Sequence, residues 1–194
     1  VLRATQSKVS PELPDSVSDN LASICERALA PDPAQRHQSA DELRRDLRHY
    51  LVRRSSMDLT RQASQELRGL IQWEDDHLTT GELEETTRVR QGVADARFGF
   101  EQALQLWEDN ARARMGLKEI LSFGVRSHIR NGDLTAAESL MRQIEQPEPG
   151  LIQALSRLRS RIEDERAEHE RLVRDLSEFD PRVGAQSRAL ASSL

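Results

Sequence analysis

Apolar side chains recur at helical spacing along most of the chain. The clearest stripe advances by steps of four and three residues, and its members are Val89, Val93, Ala96, Phe100, Ala103 and Trp107. Such spacing places apolar groups on one face of an α-helix. The period-two alternation of a half-buried β-strand occurs nowhere in the sequence. The pattern therefore predicts an all-α fold.

Polar and proline-rich stretches mark the limits of the first helix. Residues 1–13 lack periodicity, which predicts an extended or disordered segment. Ser18 or Asp15 can cap the helix that follows, because a side-chain oxygen there accepts hydrogen bonds from its first free N–H groups. The helix should run to about Ala30, since the prolines of Pro31–Pro33 cannot continue the hydrogen-bond ladder.

Two capping boxes predict further helix starts. Ser39–Glu42 and Thr79–Glu82 each place a hydroxyl three residues before a glutamate, so that each side chain can bond the other's backbone N–H. The helix after the first box carries apolar residues at helical spacing up to Trp73. The spacing leaves open whether this is one long helix or two helices with a kink near Ser55.

Two further helices are predicted between residues 110 and 146. Asn110 should begin the first, and Asn131–Asp133 should end it, because Asn-Gly tolerates the left-handed conformation of a helix end. Thr135–Glu138 should open the second helix. Pro147 and the pair Pro149-Gly150 should end it.

A long charged helix is predicted from Leu151 to Phe179. Its seam residues follow the alternating four-three spacing of a heptad, and they are Leu151, Leu155, Leu158, Ile162, Glu165, His169, Leu172, Leu176 and Phe179. Polar residues within such a seam are typical of a marginal coiled coil or of a helix that pairs with a neighbour. The small and polar stretch 180–194 should be a frayed tail.

The first two predicted helices, and the turn between them, contain residues whose order and spacing form a recognisable pattern. They are Leu21, Ile24, Ala28-Leu29, Asp32-Pro33, Arg36, Ser39-Ala40 and Glu42-Leu43. In order and spacing, residues 14–51 closely resemble the end of the C-terminal lobe of bacterial serine/threonine protein kinases. Because the chain also starts at Val1 without a methionine, we expect a piece of a larger protein, cut just inside a kinase domain.

The kinase resemblance implies a structural role for Arg36. In that family the arginine at this position forms a buried ion pair with a glutamate that ends the activation segment. That glutamate lies outside this chain, so the alternative is a surface arginine that caps the Pro31–Pro33 turn. The Gly-rich loop, the strand lysine, His-Arg-Asp and Asp-Phe-Gly are missing from the sequence. We therefore expect no phosphoryl transfer and no cofactor here, with ATP and Mg²⁺ bound by the parent's kinase domain.

A second resemblance covers roughly residues 80–145. The matching residues are Ala96, Phe100, Glu101-Gln102-Ala103-Leu104, Asn110, Ala113, Gly116-Leu117, Gly132-Asp133-Leu134 and Ala136-Ala137. They resemble degenerate tetratricopeptide-like repeats, in which small residues let antiparallel helices approach closely. The proline that usually ends the second helix is missing, and Ala96 and Ala137 are further apart than one repeat. Generic helix packing is the alternative.

Composition argues against several functions. The net charge of −5 and the isoelectric point near 5.6 speak against nucleic-acid binding, which calls for a basic patch. Charged residues make up 31% of the chain and aromatic residues 4%, which favours helices with large solvated faces. No apolar run approaches the ~20 residues of a membrane span. We therefore expect a cytoplasmic protein and no membrane contact by this segment.

The sequence suggests neither a metal site nor a nucleophile. Cys25 has apolar neighbours in the first helix, which predicts a small buried thiol. Glu74–His77 combines acids with a histidine, but four consecutive helical residues point in four directions, so we expect a solvated charge run at a helix end. We expect no catalytic, cofactor-binding or metal-binding residue.

Two functions remain open on the sequence. The leading hypothesis is a non-catalytic regulatory or protein-interaction segment that follows the catalytic domain of a bacterial serine/threonine protein kinase. The alternative is a stand-alone helical adapter or coiled-coil dimerisation module unrelated to kinases. Either would bind proteins or a second copy through helical faces. The predicted segments are a kinase-lobe remnant (1–54), repeat-like hairpins (55–146), a long charged helix (147–179) and the tail (180–194).

Overall fold

The computed structural model describes residue 14, residues 17–77 and residues 83–178. Every regular element in these residues is helical, so the predicted all-α fold is confirmed. The chain divides into two compact units, the first ending at Ile120 and the second beginning at Leu121. The predicted extended start and the predicted frayed tail lie outside the described residues.

Helix α1 spans Asp19–Ala28 and is followed by a short 3-10 helix, Pro33–Gln35. Ser18 occupies the N-cap position, as predicted, but its side chain makes no cap hydrogen bond. Its Oγ instead donates to Tyr50 Oη at 3.2 Å. The capping role predicted for Ser18 is therefore wrong, because the hydroxyl links α1 to the next helix. The other candidate, Asp15, lies outside the described residues.

Helix α2, Ala40–His77, is a single continuous helix that passes through Ser55 without a break. Ser39 Oγ accepts from the Glu42 N–H at 3.1 Å, which confirms the first half of the predicted capping box. The Glu42 carboxylate reaches one residue further back than predicted and accepts from the Gln38 N–H at 2.7 Å. Because the hydrogen-bond ladder of α2 is unbroken, the segment boundary predicted after residue 54 falls inside this helix. The second predicted box lies outside the described residues.

Helix α3, Leu83–Leu106, packs antiparallel against α2. The two ends of the pair are fixed by Ser56, whose Oγ donates to the Ala103 carbonyl at 2.7 Å, and by Leu70, which lies against Gly92. The apolar stripe predicted for α3 is buried from Val89 to Ala103. The buried apolar residues of this first unit are Ala63, Leu67, Leu70, Val89, Val93, Ala96, Phe100, Ala103, Ala113 and Ile120.

Two glycines allow the helices of the first unit to approach each other closely. A Cβ atom added at Gly99 would lie 2.9 Å from the Ala63 Cβ, on the α2–α3 contact. A Cβ added at Gly116 would overlap the ring of Phe100, which is fully buried. Real Cβ contacts of this kind require the neighbour to shift. The absence of a side chain at these two positions therefore sets the spacing of the helices.

Helix α4 spans Ala111–Arg130 and begins as predicted. Asn110 Oδ1 accepts from the Ala113 N–H at 3.1 Å, which is the geometry of an N-cap. The helix ends at the predicted turn, where Gly132 has a φ of 72°. The division between the two units falls within this helix.

Helix α5 spans Leu134–Met141 and is shorter than predicted. Its N-cap is Asp133, whose Oδ1 accepts from the Ala136 N–H at 3.0 Å. Thr135 therefore lies inside the helix, and its predicted role in opening the helix is wrong. Asp133 takes this role because it directly follows the turn glycine and its short carboxylate reaches the free N–H groups.

Helix α6 spans Pro149–Glu178 and pairs with α5 in the second unit. It begins two residues before the predicted Leu151, so Pro149-Gly150 opens this helix. The physical reason is that proline suits the first helical position, where its missing N–H costs nothing. The buried apolar residues of this unit are Leu121, Phe123, Val125, Ala137, Ile144, Leu151, Leu155 and Leu158.

The helices are long but not strongly apolar. In the part of the chain that the structure describes, no helix combines the length and the hydropathy that a membrane-spanning segment needs.

Candidate interaction surfaces

The turn between α1 and α2 is held by Arg36, the one site residue that the sequence singled out. Its Nε donates to the Ala30 carbonyl at 2.6 Å and its Nη2 to the Pro31 carbonyl at 3.4 Å. Asp32 Oδ1 accepts from the Ala34 N–H at 2.9 Å and fixes the 3-10 helix beside it. The exposed Arg36 side chain thus caps the turn, which is the contact that the alternative interpretation describes. The ion pair implied by the kinase resemblance stays a prediction.

Four charged or titratable residues, Arg27, His37, Glu42 and Asp46, form what we call the ion cluster. Arg27 of α1 donates to Asp46 Oδ2 at 3.2 Å and pairs with the Glu42 carboxylate. His37 Nε2 lies 3.1 Å from the same Asp46 oxygen. Because surface ion pairs contribute only about 0–1 kcal/mol each, the cluster orients α1 on α2 more than it stabilises the unit.

Hydrogen bonds to the ionised form lower the pKa of Glu42 below its ordinary value. The larger cause is the backbone N–H of Gln38, and the second is the guanidinium of Arg27. Both groups bond to the carboxylate and lose that bond when the carboxyl is protonated. Glu42 therefore holds the beginning of α2 and the end of α1 together in its charged state.

His37 is the most buried member of the ion cluster, with 4% of its side chain exposed. Its Nδ1 is buried and has no hydrogen-bond partner among the described residues. The sequence patterns did not single out this residue. Nothing in the local sequence distinguishes His37 from an exposed turn residue, whereas in the structure its side chain contacts Asp46 of α2.

Helix α1 contributes only a thin contact to the first unit. None of its ten residues is buried, and the residue that follows it, Leu29, is 52% exposed. Leu21 and Ile24 are half-buried, and so is Cys25, which was predicted to be a buried thiol. The prediction for Cys25 is wrong because only one side of α1 is covered by the described residues. The apolar residues of α1 thus form a face that α2 covers incompletely.

A groove of about 610 Å³ lies between α1 and α2. Its wall includes side chains of both charges and a few apolar ones, among them Ile24, Asp46, Tyr50, Arg53, Asp58 and Arg61. Arg53 also stacks over the ring of Trp107, 5.4 Å from its centroid. Three arginines, Arg53, Arg54 and Arg61, and two aspartates, Asp46 and Asp58, line the groove, so its wall is mixed in charge.

A buried polar network joins α2, α3 and the start of α4. Asn110 Nδ2 donates to Ser56 Oγ at 2.8 Å and to Thr60 Oγ1 at 2.9 Å. Ser56 in turn donates to the Ala103 carbonyl at 2.7 Å, and Thr60 to the Ser56 carbonyl at 2.8 Å. Ser56, Thr60 and Asn110 are all buried, and the network satisfies them. It sets the register of three helices and is not a reactive site.

The second half of α6 is the least covered part of the described chain. Leu158 is 2% exposed, whereas Leu172 is 55% and Leu176 is 72% exposed. The heptad seam is continuous through both halves, but its cover ends near Ile162, which is half-buried. The predicted seam therefore forms one continuous stripe along α6. Its first half is covered by other residues of the chain, and its second half is exposed.

The covered half of α6 is joined to α5 by an ion pair. Arg159 Nε donates to Glu138 Oε1 at 3.2 Å. The bond to Glu138, followed by the charge of the same carboxylate, raises the pKa of the Arg159 guanidinium above its ordinary value.

These surfaces contain no arrangement that suggests covalent or metal chemistry. Among the described residues, no three histidine, cysteine, aspartate or glutamate side chains gather as a metal ion would require. The Glu74–His77 run forms the last turn of α2, as predicted for a helix-end charge run. No protein-family model, no curated protein and no solved structure matches the chain.

Proposed function

We propose that residues 14–51 are the end of the C-terminal lobe of a bacterial serine/threonine protein kinase, and that the helices after them form its non-catalytic regulatory or protein-interaction segment. On this proposal the segment transfers no phosphate itself and contacts other proteins or a second copy through its helical faces. ATP and Mg²⁺ would bind to the parent's kinase domain, and the parent would act in the cytoplasm. The repeat-like hairpins would carry the interaction surface.

The observation that carries the proposal is the incomplete burial of α1. The residues that match the kinase pattern include Leu21, Ile24 and Leu29, and none of them is buried in the described structure. A helix with an apolar face that its own chain leaves half covered is adapted to a further surface. The body of a kinase lobe, which precedes these helices in that family, would supply such a surface.

The structure of the turn is compatible with this origin. The Arg36 side chain is exposed and, among the described residues, donates only to the carbonyls of Ala30 and Pro31. Its guanidinium has five N–H donors in total, so donors remain for a carboxylate. In the parent protein the activation-segment glutamate would bond to those donors.

Reading the native gene upstream of Val1 tests the kinase origin directly. We expect a Gly-rich loop, a strand lysine, His-Arg-Asp and Asp-Phe-Gly, in that order. A gene that encodes none of them would overturn the kinase origin and leave the helical-adapter alternative.

Amide hydrogen exchange tests the same proposal on the protein itself. We expect the amides of α1 to exchange much faster than those of the α2–α3 core, because the helix is only half covered. A longer protein that includes the upstream region should slow exchange in α1 and leave the core unchanged. Full protection of residues 17–51 with fast exchange after residue 60 would contradict the proposal.

The second candidate function is the helical adapter or coiled-coil dimerisation module. A specific observation favours it, namely the exposure of Leu172 and Leu176 on the heptad seam of α6. Unlike the first candidate, this function does not require kinase motifs in the gene upstream of Val1. Solution mass measured against protein concentration tests its dimerisation part, and a monomer at every concentration would overturn that part.

A further inference from the structure

The uncovered half of α6 carries five seam residues, Ile162, Glu165, His169, Leu172 and Leu176, which we call the α6 seam. Their spacing of three, four, three and four residues places them on one face of the helix. From Ile162 to Leu176 the face is about 22 Å long at the usual rise per residue. It is apolar at both ends and polar in the middle.

We infer that the α6 seam binds the α6 seam of a second copy of this chain, with the two helices antiparallel and symmetric about the level of Ala167. This inference deepens the interaction role proposed above and rests on it, but it does not depend on a kinase origin. The argument for a second copy, and for this orientation, comes from the order of apolar and charged residues along the face.

A parallel alignment of two copies is unfavourable. It would place each seam residue against its own copy, so that Glu165 would face Glu165 and His169 would face His169. Beside the seam, Arg161 would face Arg166 of the second copy. In a parallel coiled coil, the residue just before one seam position (here Ile162) lies next to the partner helix's residue just after the following seam position (here Glu165). All of these contacts join like residues, and the charged ones repel.

The antiparallel alignment pairs unlike charges and like apolar groups. With Ala167 at the centre, Glu165 faces His169 of the second copy, and Ile162 faces Leu172. Leu176 falls at the level of Leu158, which is buried in its own unit, so Leu176 lies at the edge of the interface. The imidazole can donate to the carboxylate whether or not it is protonated. Because the arrangement is symmetric, each of these contacts occurs twice.

The register is fixed by the same residues. Sliding the second helix by one heptad in one direction would place Glu165 against Leu176, and sliding it in the other direction would place Glu165 against Ile162. Either shift buries a carboxylate against an aliphatic group without a hydrogen-bond partner, which is costly. The symmetric register about Ala167 avoids both.

The flanking charges favour this register at its ends and oppose it at its centre. Arg161 faces Asp175 of the second copy, twice, and both residues are exposed in the single chain. At the centre, Glu168 faces its own copy on one flank and Arg166 faces its own copy on the other. Because the seam is short, the interface falls below the ~1,600 Å² of a standard complex, and the two like-charge pairs weaken it further. We therefore expect a reversible dimer and not an obligate one.

Substitution within the seam tests the interface. In sedimentation of the full 194-residue chain, Leu172→Glu should weaken dimerisation by roughly a hundredfold or more, because the lost leucine enters the symmetric interface twice. Ala167→Glu is the matched control, since it adds the same charge on the opposite, exposed side of the helix and should leave the dimer unchanged. A wild-type chain that stays monomeric at every concentration, or equal effects of the two variants, would overturn the inference.

Disulfide trapping tests the orientation. In a Cys25→Ser background, one chain carries Ile162→Cys and a second chain of different mass carries Leu172→Cys. Mixing the two should give a crosslink between the different chains, while each variant alone should give little. Efficient crosslinking of Ile162→Cys with itself would show a parallel pair and overturn the antiparallel arrangement. None of these outcomes alters the upstream-gene test, so a failed dimer and a failed kinase origin can be told apart.

Discussion

Replacing Asn110 with alanine would remove the residue that joins three helices of the first unit. The side chain makes three hydrogen bonds: its Nδ2 donates to Ser56 Oγ and to Thr60 Oγ1, and its Oδ1 accepts from the Ala113 N–H. All four residues are buried, so water cannot replace the lost partners without opening the unit. We therefore expect Asn110→Ala to be strongly destabilising.

The magnitude follows from the partners that are left behind. Losing an N-cap costs about 0.5–2 kcal/mol, and here the stranded donor is the buried Ala113 N–H, so the upper part of that range applies. The two bonds to hydroxyls contribute roughly 0.5–1.5 kcal/mol each. Ser56 and Thr60 keep their own donor bonds to carbonyl groups, so neither is left with an unsatisfied hydrogen. The sum is a loss of about 2–5 kcal/mol in the free energy of unfolding.

Urea unfolding followed by tryptophan fluorescence measures this loss. Trp73 and Trp107 both lie in the first unit, so their emission reports that unit alone. With a urea dependence in the middle of the usual range, about 2 kcal/mol per molar, the midpoint should fall by roughly 1–2.5 M. Asn20→Ala, at an exposed position of α1 in the same unit, is the matched control and should stay within about 0.5 kcal/mol of wild type. Equal midpoints for the two variants would refute the network, and a double variant with Ser56→Ala should cost less than the two single losses added.

Three further predictions concern the same unit. Gly116→Ala should lower the urea midpoint, because overpacking by one methyl costs about 1–3 kcal/mol; Gly69→Ala, which meets nothing within 4 Å, should raise it slightly. The pKa of Glu42 is lowered in the folded chain, so its contribution to stability is present above its ordinary value of 4.5 and is lost as the pH falls through the folded value. Glu42→Gln should therefore reduce stability at pH 7, and this loss should shrink as the pH falls below 4.5 in the same urea assay. Arg53→Gln should change the emission of Trp107 and cost less than about 1 kcal/mol, since the exposed stacking contact is weak; an unchanged emission would contradict the contact.

Helix positions were largely predictable because local rules set them. The stripe of α3 is buried as its spacing indicates, and the cap at Asn110 and the turn at Gly132 lie where the sequence places them. Each of these features depends on residues within one or two helical turns. Capping was predicted less well where two neighbouring residues could serve, as with Asp133 and Thr135, because the choice depends on backbone geometry at the turn.

The buried polar network could not be predicted from the sequence. Asn110 was identified as a helix start, but its partners Ser56 and Thr60 lie some fifty positions earlier and look like ordinary helix-surface residues. Only the antiparallel packing of α2 and α3 brings them together. The same holds for His37, whose partner Asp46 lies nine positions later, on α2.

Periodicity reports which face of a helix can be buried, but not what buries it. Leu151, Leu155 and Leu158 share one heptad phase with Leu172 and Leu176, yet the first three are buried and the last two are exposed. The difference lies in the neighbour, because α5 pairs with the first half of α6. An uncovered apolar stripe persists in a folded protein only if another molecule covers it or if its exposure to water costs little free energy. For the α6 seam the charged residues at its centre keep that cost low in the single chain, and the same residues select an antiparallel partner. On the proposed antiparallel pairing, a reversible dimer is expected from both facts together.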